Sequence, residues 1–205
     1  MQIKKVFAQG LFALLAGVSA AGSAQATVID FESVVLTRDA APFKYSFLSN
    51  EYGLTWGGDW GNRSWIATAN VQYFPNAVAH SGKQFAYSNG SSDVKLSGNP
   101  FTLNSLWTRT LVGTYDLVAT GYLNGIATQS KTFHINTTFQ EINLNFVGID
   151  TVWLETSIKT NTIYDDINIS AVPEPEQGAM FMAGLAAIAF AAKRKARKTK
   201  AEIAG

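Results

Sequence analysis

The sequence has no cysteine and only two histidines, His80 and His134. The first absence excludes disulfides, thiolate nucleophiles and cysteine-type zinc sites, so stability must come from a buried core or a bound ion. The second leaves little material for a hydrolase base or an imidazole metal pair. His134 lies mid-strand in "TFHIN" and His80 in the loop "NAVAHSGK", with no G-x-S-x-G elbow or phosphate loop beside them. A basic surplus is also missing where it would matter. The net charge of +1 belongs to the two ends of the chain, whereas Thr27 to Ala171 holds eight basic and twelve acidic residues, net −4. That balance argues against a nucleic-acid partner, which needs a basic face.

Two carboxylates about 5–10 Å apart would suffice for a glycosidase. Twelve acids always supply some such pair, so their number decides nothing; Glu51 and Asp59 are the pair to inspect.

What is present at the N-terminus is a secretory pattern. Lys4 and Lys5 precede an apolar stretch, Val6 to Ala21, that closes on Ala24-Gln25-Ala26. This predicts a signal peptide over 1–26, cleaved after Ala26, and a mature chain starting near Thr27.

The C-terminus has a three-part order. Val172-Pro173-Glu174-Pro175 comes first, then an apolar run from Gly178 to Ala192, then a basic tail over 193–200 containing Lys193, Arg194, Lys195, Arg197, Lys198 and Lys200. The run would make a helix of about 22 Å, shorter than the roughly 30 Å hydrocarbon core, so it is a marginal anchor that snorkelling lysines or local thinning would have to complete. The basic cluster places the tail on the cytoplasmic side and the folded domain outside.

This ending resembles the PEP-CTERM sorting signal of Gram-negative bacteria. The resemblance implies export across the inner membrane, transient anchoring through the C-terminal helix, and processing by a membrane-embedded exosortase. It further implies a final place at the cell surface or outside the cell, in association with exopolysaccharide or biofilm.

Between the ends, short β-branched and aromatic runs alternate with Gly, Asn and Ser clusters, and no stretch holds a long 3.6-residue apolar stripe. The expectation is one all-β domain over 27–171, a β-sandwich. Asn124-Gly125 predicts a hairpin between Tyr115–Leu123 and Ile126–Thr137. Gly148-Ile149-Asp150 predicts either a second turn, after Ile142–Val147, or a crossing between sheets. Val94–Leu96 and Phe101–Thr108 read as separate strands, and Trp107 and Trp153 as core. The succession "FTLNSLW", "VATGYLNG", "INLNFVGIDTVWLE" and "YDDINIS" is similar to the jelly-roll domain of many PEP-CTERM proteins, itself similar in outline to carbohydrate-binding modules.

Two groups are candidate sites. Asp30 and Glu32 near the mature N-terminus, on one face of a strand, and Asp165 and Asp166 near the end of the domain, on opposite faces of theirs, would lie on neighbouring first and last strands. Hard oxygen ligands of this kind, with loop carbonyls near Ser88 to Ser91, suit Ca²⁺. A structural calcium ion is also what the jelly-roll resemblance implies, and no other cofactor is required.

"WGGDWGNRSW" sets Trp56, Trp60 and Trp65 among glycines with Asp59, Asn62 and Arg63, a composition suited to stacking on a pyranose and reading its hydroxyls. The reading is a non-enzymatic surface or matrix protein. Its alternatives are a specific carbohydrate-binding module using the Trp56–Trp65 loop and a secreted glycan-active enzyme.

Overall fold

The structure, a computed structural model, describes residues 26–40, 43–71, 74, 76–90, 93–172 and 182–193. The expected signal peptide lies outside this set except for Ala26, as do Pro173, Glu174 and Pro175 of the sorting motif and the basic tail beyond Lys193. The segment 182–193 is a helix of its own unit. Among the described residues no helix is long and apolar enough to cross a membrane.

The domain is a jelly-roll-like β-sandwich, with eleven strands among the described residues. In chain order they are β1 (Ala26–Ile29), β2 (Arg38–Ala40), β3 (Phe43–Phe47), β4 (Thr55–Gly58), β5 (Ile66–Thr68), β6 (Phe85–Tyr87), β7 (Asp93–Thr110), β8 (Tyr115–Leu123), β9 (Ile126–Ile135), β10 (Gln140–Thr156) and β11 (Thr162–Ala171). One hydrogen-bonded network joins them in the order β2-β3-β5-β6-β11-β7-β10-β8-β9, with β1 on β11 and β4 on β7.

Two long strands make this network a sandwich. Val94 to Ser97 of β7 pairs with β4 on one side and with Thr151 to Leu154 of β10 on the other, whereas Phe101 to Thr110 pairs with β11 and with the first part of β10. β7 and β10 therefore belong to both layers. Register shifts between Asn143 and Phe146, Phe146 and Ile149, and Ile149 and Thr151 mark bulges, and Asn145 and Gly148 take positive φ there, 51° and 66°. Bulges bend and twist a strand.

They also change which residues face inward: Ile142, Leu144 and Phe146 are buried, then Ile149, then Val152 and Leu154. Gly148-Ile149-Asp150 is thus a crossing between layers and not a turn. The two runs Val94–Leu96 and Phe101–Thr108 likewise join in the single strand β7. The Asn124-Gly125 hairpin is present as expected, with φ of 52° and 77° at its tip.

The main core lies between the layers. Phe31, Trp56, Trp65 and Tyr164 form a chain of ring contacts through it, with centroids 5.7, 5.0 and 5.0 Å apart. Both indole N–H groups are satisfied, Trp56 Nε1 donating to Glu51 O and Trp65 Nε1 to Lys95 O. A smaller cluster of Phe43, Ile66, Val71, Ala77, Phe85, Tyr87 and Ile163 lies apart from it.

β8 packs closely against β10, as Gly121 shows: an added Cβ would stand 2.8 Å from Ile149 Cγ2 and 3.0 Å from Phe146 Cδ2. Gly121→Ala should therefore lower the unfolding free energy by about 1–3 kcal/mol in a urea titration. An unchanged midpoint would contradict this contact.

Candidate functional site

The tryptophan-rich segment is split by the fold. Trp56 sits on β4 and Trp65 just before β5, both with side chains in the core, so neither offers a face to a ligand. This corrects the expected three-tryptophan shelf. Trp60 alone stays outside, 49% exposed, just before a 3-10 turn over Gly61–Arg63.

Its neighbours Asp59, Asn62 and Arg63 are exposed as well. Besides its own backbone bonds, contacts to side chains hold the turn: the Trp60 N–H donates to Ser64 Oγ at 3.0 Å, Asn89 Nδ2 donates to Arg63 O at 2.9 Å, and Lys159 Nζ lies 3.4 Å from Asp59 Oδ2. Glu51, the other half of the carboxylate pair, accepts the Ser49 N–H at 2.6 Å. Both acids therefore have structural partners.

Of the four carboxylates proposed as ligands, Glu32, Asp165 and Asp166 contact the loop that leads into β6, and Asp30 does not. The last strand β11 is edged by β6 at Ile163–Tyr164 and by β1 at Ile167–Ser170, as a first-strand, last-strand pairing requires. Asp165 and Asp166 fall in the gap between these neighbours. Asp166 has φ 45° at a register break, so both side chains engage the same loop and do not alternate across the sheet.

Buried Asp165 accepts the N–H groups of His80, at 2.8 Å, and Ser81, at 3.1 Å, on Oδ2, and that of Asp166 on Oδ1. Asp166 accepts Ser81 Oγ at 2.7 Å and lies 2.7 Å from His80 Nδ1. Glu32 Oε1 accepts the N–H groups of Lys83 and Gln84, both at 2.6 Å. Asp30 lies beyond the end of β1, where its Oδ1 accepts the Glu32 N–H, and Phe31 at φ 61° turns its ring into the core.

The strand geometry expected for Asp30 and Glu32 is thus replaced by a turn. Glu32, Asp165 and Asp166 are thus hydrogen-bonded to the loop, and Asp30 to the Glu32 amide. Among the described residues, no group of three or more His, Asp or Glu is arranged to hold a metal ion.

Trp107 and Trp153 are not core residues: both are half-buried. Trp107 stacks under the His80 ring, centroids 3.7 Å apart and planes 13° from parallel. Trp153 lies on the outward side of β10, between buried Val152 and Leu154. Cross-strand pairing sets it in a row with Gly57, Lys95, Thr120 and Ser130, and a second row holds Thr55, Ser97, Thr151 and Tyr122. Reading by hydrophobicity missed this face, although period-2 alternation in "TVWLE" puts Trp153 on the same side as Thr151 and Glu155.

Just after β11, the Val172 N–H donates to Pro100 O at 3.4 Å. Residues 171–195 match the PEP-CTERM protein-sorting motif. The PEP-CTERM motif marks an exported protein. The domain in front of it is similar to a DUF4465 family protein from Bacteroides caccae, with 13% identity, TM-score 0.51, and coverage of 71% of this chain and 98% of that one. It also matches the CBM22-1 xylan-binding domain from Paenibacillus barcinonensis, with 15% identity, TM-score 0.45, and coverage of 74% and 97%. At these identities the first likeness shows the fold. No curated protein matches the chain.

The clamp on the loop that leads into β6 has a pH signature. Burial pushes the Asp165 carboxyl from 3.8 up to about 6; the Asp166 charge adds to this, and the N–H donors of Ser81, Asp166 and His80 oppose it. The folded state therefore holds the Asp165 proton more tightly than the unfolded chain. The stabilisation is full below the unfolded pKa and is lost as pH rises through the folded one. The unfolding free energy of wild type minus that of Asp165→Asn should fall as pH is raised from about 4 to about 7. A difference independent of pH would contradict the buried, titrating clamp.

Proposed function

We propose that this is an exosortase-processed surface or extracellular-matrix protein whose β-sandwich is a non-enzymatic, glycan-interacting domain, at work among exopolysaccharides. Its partners on this reading are the exosortase, the membrane through the C-terminal helix before processing, and a glycan afterwards.

The observation that carries the glycan part is Trp60. A large aromatic ring stands outside the core beside Asp59, Asn62 and Arg63, on a turn fixed at both ends. Such a ring supplies a stacking face at little entropic cost because its backbone is already ordered. Binding is favoured over hydrolysis because Glu51 and Asp59 are engaged by Ser49 and Lys159. The processing part rests on the order of the chain: among the described residues the last backbone bond of the sandwich is that of Val172, immediately before Pro173 in sequence. Cleavage beyond that point leaves every strand intact.

Two outcomes are expected. Intact-mass analysis of the protein from an exosortase-bearing host should show a C-terminus near Val172 to Glu176; a mass running through Gly205 would contradict processing. Trp60→Ala should weaken retention on immobilised exopolysaccharide about three- to tenfold while its melting temperature stays within about two degrees, since an exposed side chain contributes little to the core. A wild-type chain retained by no polysaccharide would overturn the reading.

A further inference from the structure

The outward face of the layer built from β4, the start of β7, the end of β10, β8 and β9 is composed unlike an ordinary solvated sheet face. Trp153 stands in the middle of a five-strand row, with Lys95 on one side and Thr120 and Ser130 on the other. Tyr122, on β8, completes an aromatic pair with it, ring centroids 6.3 Å apart and planes inclined at 55°. The Lys95 ammonium lies 5.8 Å from the centre of the Trp153 ring.

Gly57 makes room for this lysine: a Cβ there would meet Lys95 Cε at 3.2 Å. Hydroxyls surround the aromatic pair, with Thr120 Oγ1 and Ser130 Oγ 3.3 Å apart beyond Trp153, and Thr55, Ser97 and Thr151 in the adjoining row. Glu155, two residues along β10, shares the face.

We infer that this face is a second glycan-binding surface, separate from the Trp60 turn, and that its ligand is a neutral, hydroxyl-rich polysaccharide lying across the strands. The assignment rests on the glycan reading above and extends it to a new set of residues. Three observations select the chemistry. Two half-buried aromatic rings on rigid strands offer apolar faces for the C–H side of pyranose rings. Hydroxyl groups can both donate and accept, and the face supplies both partners, the Lys95 ammonium and the Glu155 carboxylate together with the Thr and Ser hydroxyls. Glu155 and the net −4 of the 27–171 span repel uronate or sulfate chains, whereas they are indifferent to neutral ones.

The geometry suits an extended polymer. Neighbouring strands are about 4.8 Å apart, so the row from Gly57 to Ser130 runs for about 19 Å, the length of several sugar residues. The rows cross the layer perpendicular to its strands, so a chain stacked on Trp153 meets Lys95 towards one end and Thr120 with Ser130 towards the other.

The test is retardation of the full chain in native gels containing a mixed-linkage β-glucan, galactomannan or dextran, with polygalacturonate and alginate as acidic probes. Starting from Trp60→Ala, which removes the turn, the expected result is residual retardation by at least one neutral polymer and none by the acidic ones. Adding Trp153→Ala, or in a separate variant Tyr122→Ala, should lower that residual affinity about tenfold or more. Circular dichroism and melting should match the parent, and the two separate variants guard against a fold effect of either one.

Retention that is abolished by Trp60→Ala alone, or that persists unchanged in both face variants, would overturn this second surface and leave the glycan reading standing. Preference for the acidic polymers would overturn the assigned ligand class. No retardation of the wild type by any polymer would remove the glycan reading itself, and this inference with it.

Discussion

The edge-on contact of Trp56 with Trp65, 5.0 Å between ring centres and nearly perpendicular, is the joint on which the sandwich depends. Trp56 belongs to β4, on the start of β7, and Trp65 leads into β5 and packs on Tyr164 of β11, in the other layer. Each ring removes a large apolar area from water, and each indole N–H finds a carbonyl, so burial leaves no polar group unpaired. Phe31 extends the contact to the start of the domain. In a chain without disulfides, the layers are held by this packing and by the two strands they share.

That joint decides what the segment "WGGDWGNRSW" can do. Fixing Trp56 and Trp65 inside forces the residues between them to close a short excursion, and Trp60 is the ring left at its tip. A similar division occurs at the loop entering β6. Glu32, Asp165 and Asp166 tie its amides to the first and last strands, and the same tie holds His80 over Trp107. Core packing and carboxylate clamps thus set the positions of the aromatic groups that remain available.

Much of this was legible in the sequence. The all-β class followed from β-branched runs without a helical stripe, the Asn124-Gly125 hairpin from turn chemistry, and the C-terminal motif from its proline-apolar-basic order. What was not legible depended on bulges. Gly148-Ile149-Asp150 left a turn and a crossing between sheets both open, and β10 takes the crossing, because a single positive φ can bend a paired strand without ending it. Simple alternation put Asp165 and Asp166 on opposite sides, and one left-handed residue brought them to one loop. Trp153 was misread for a different reason: the size of the side chain outweighed its alternation with Thr151 and Glu155, which places it outward.

The central claim is that two tryptophans are structural while Trp60 and Trp153 remain on the surface for a glycan. The most direct measurement is ¹⁹F NMR of the protein labelled with 5-fluorotryptophan, its five resonances assigned by single substitutions and followed during titration with a neutral polysaccharide. The account predicts that the Trp60 and Trp153 signals shift while those of Trp56 and Trp65 stay in place. A titration that moves the Trp56 and Trp65 signals, or none of the five, would contradict it.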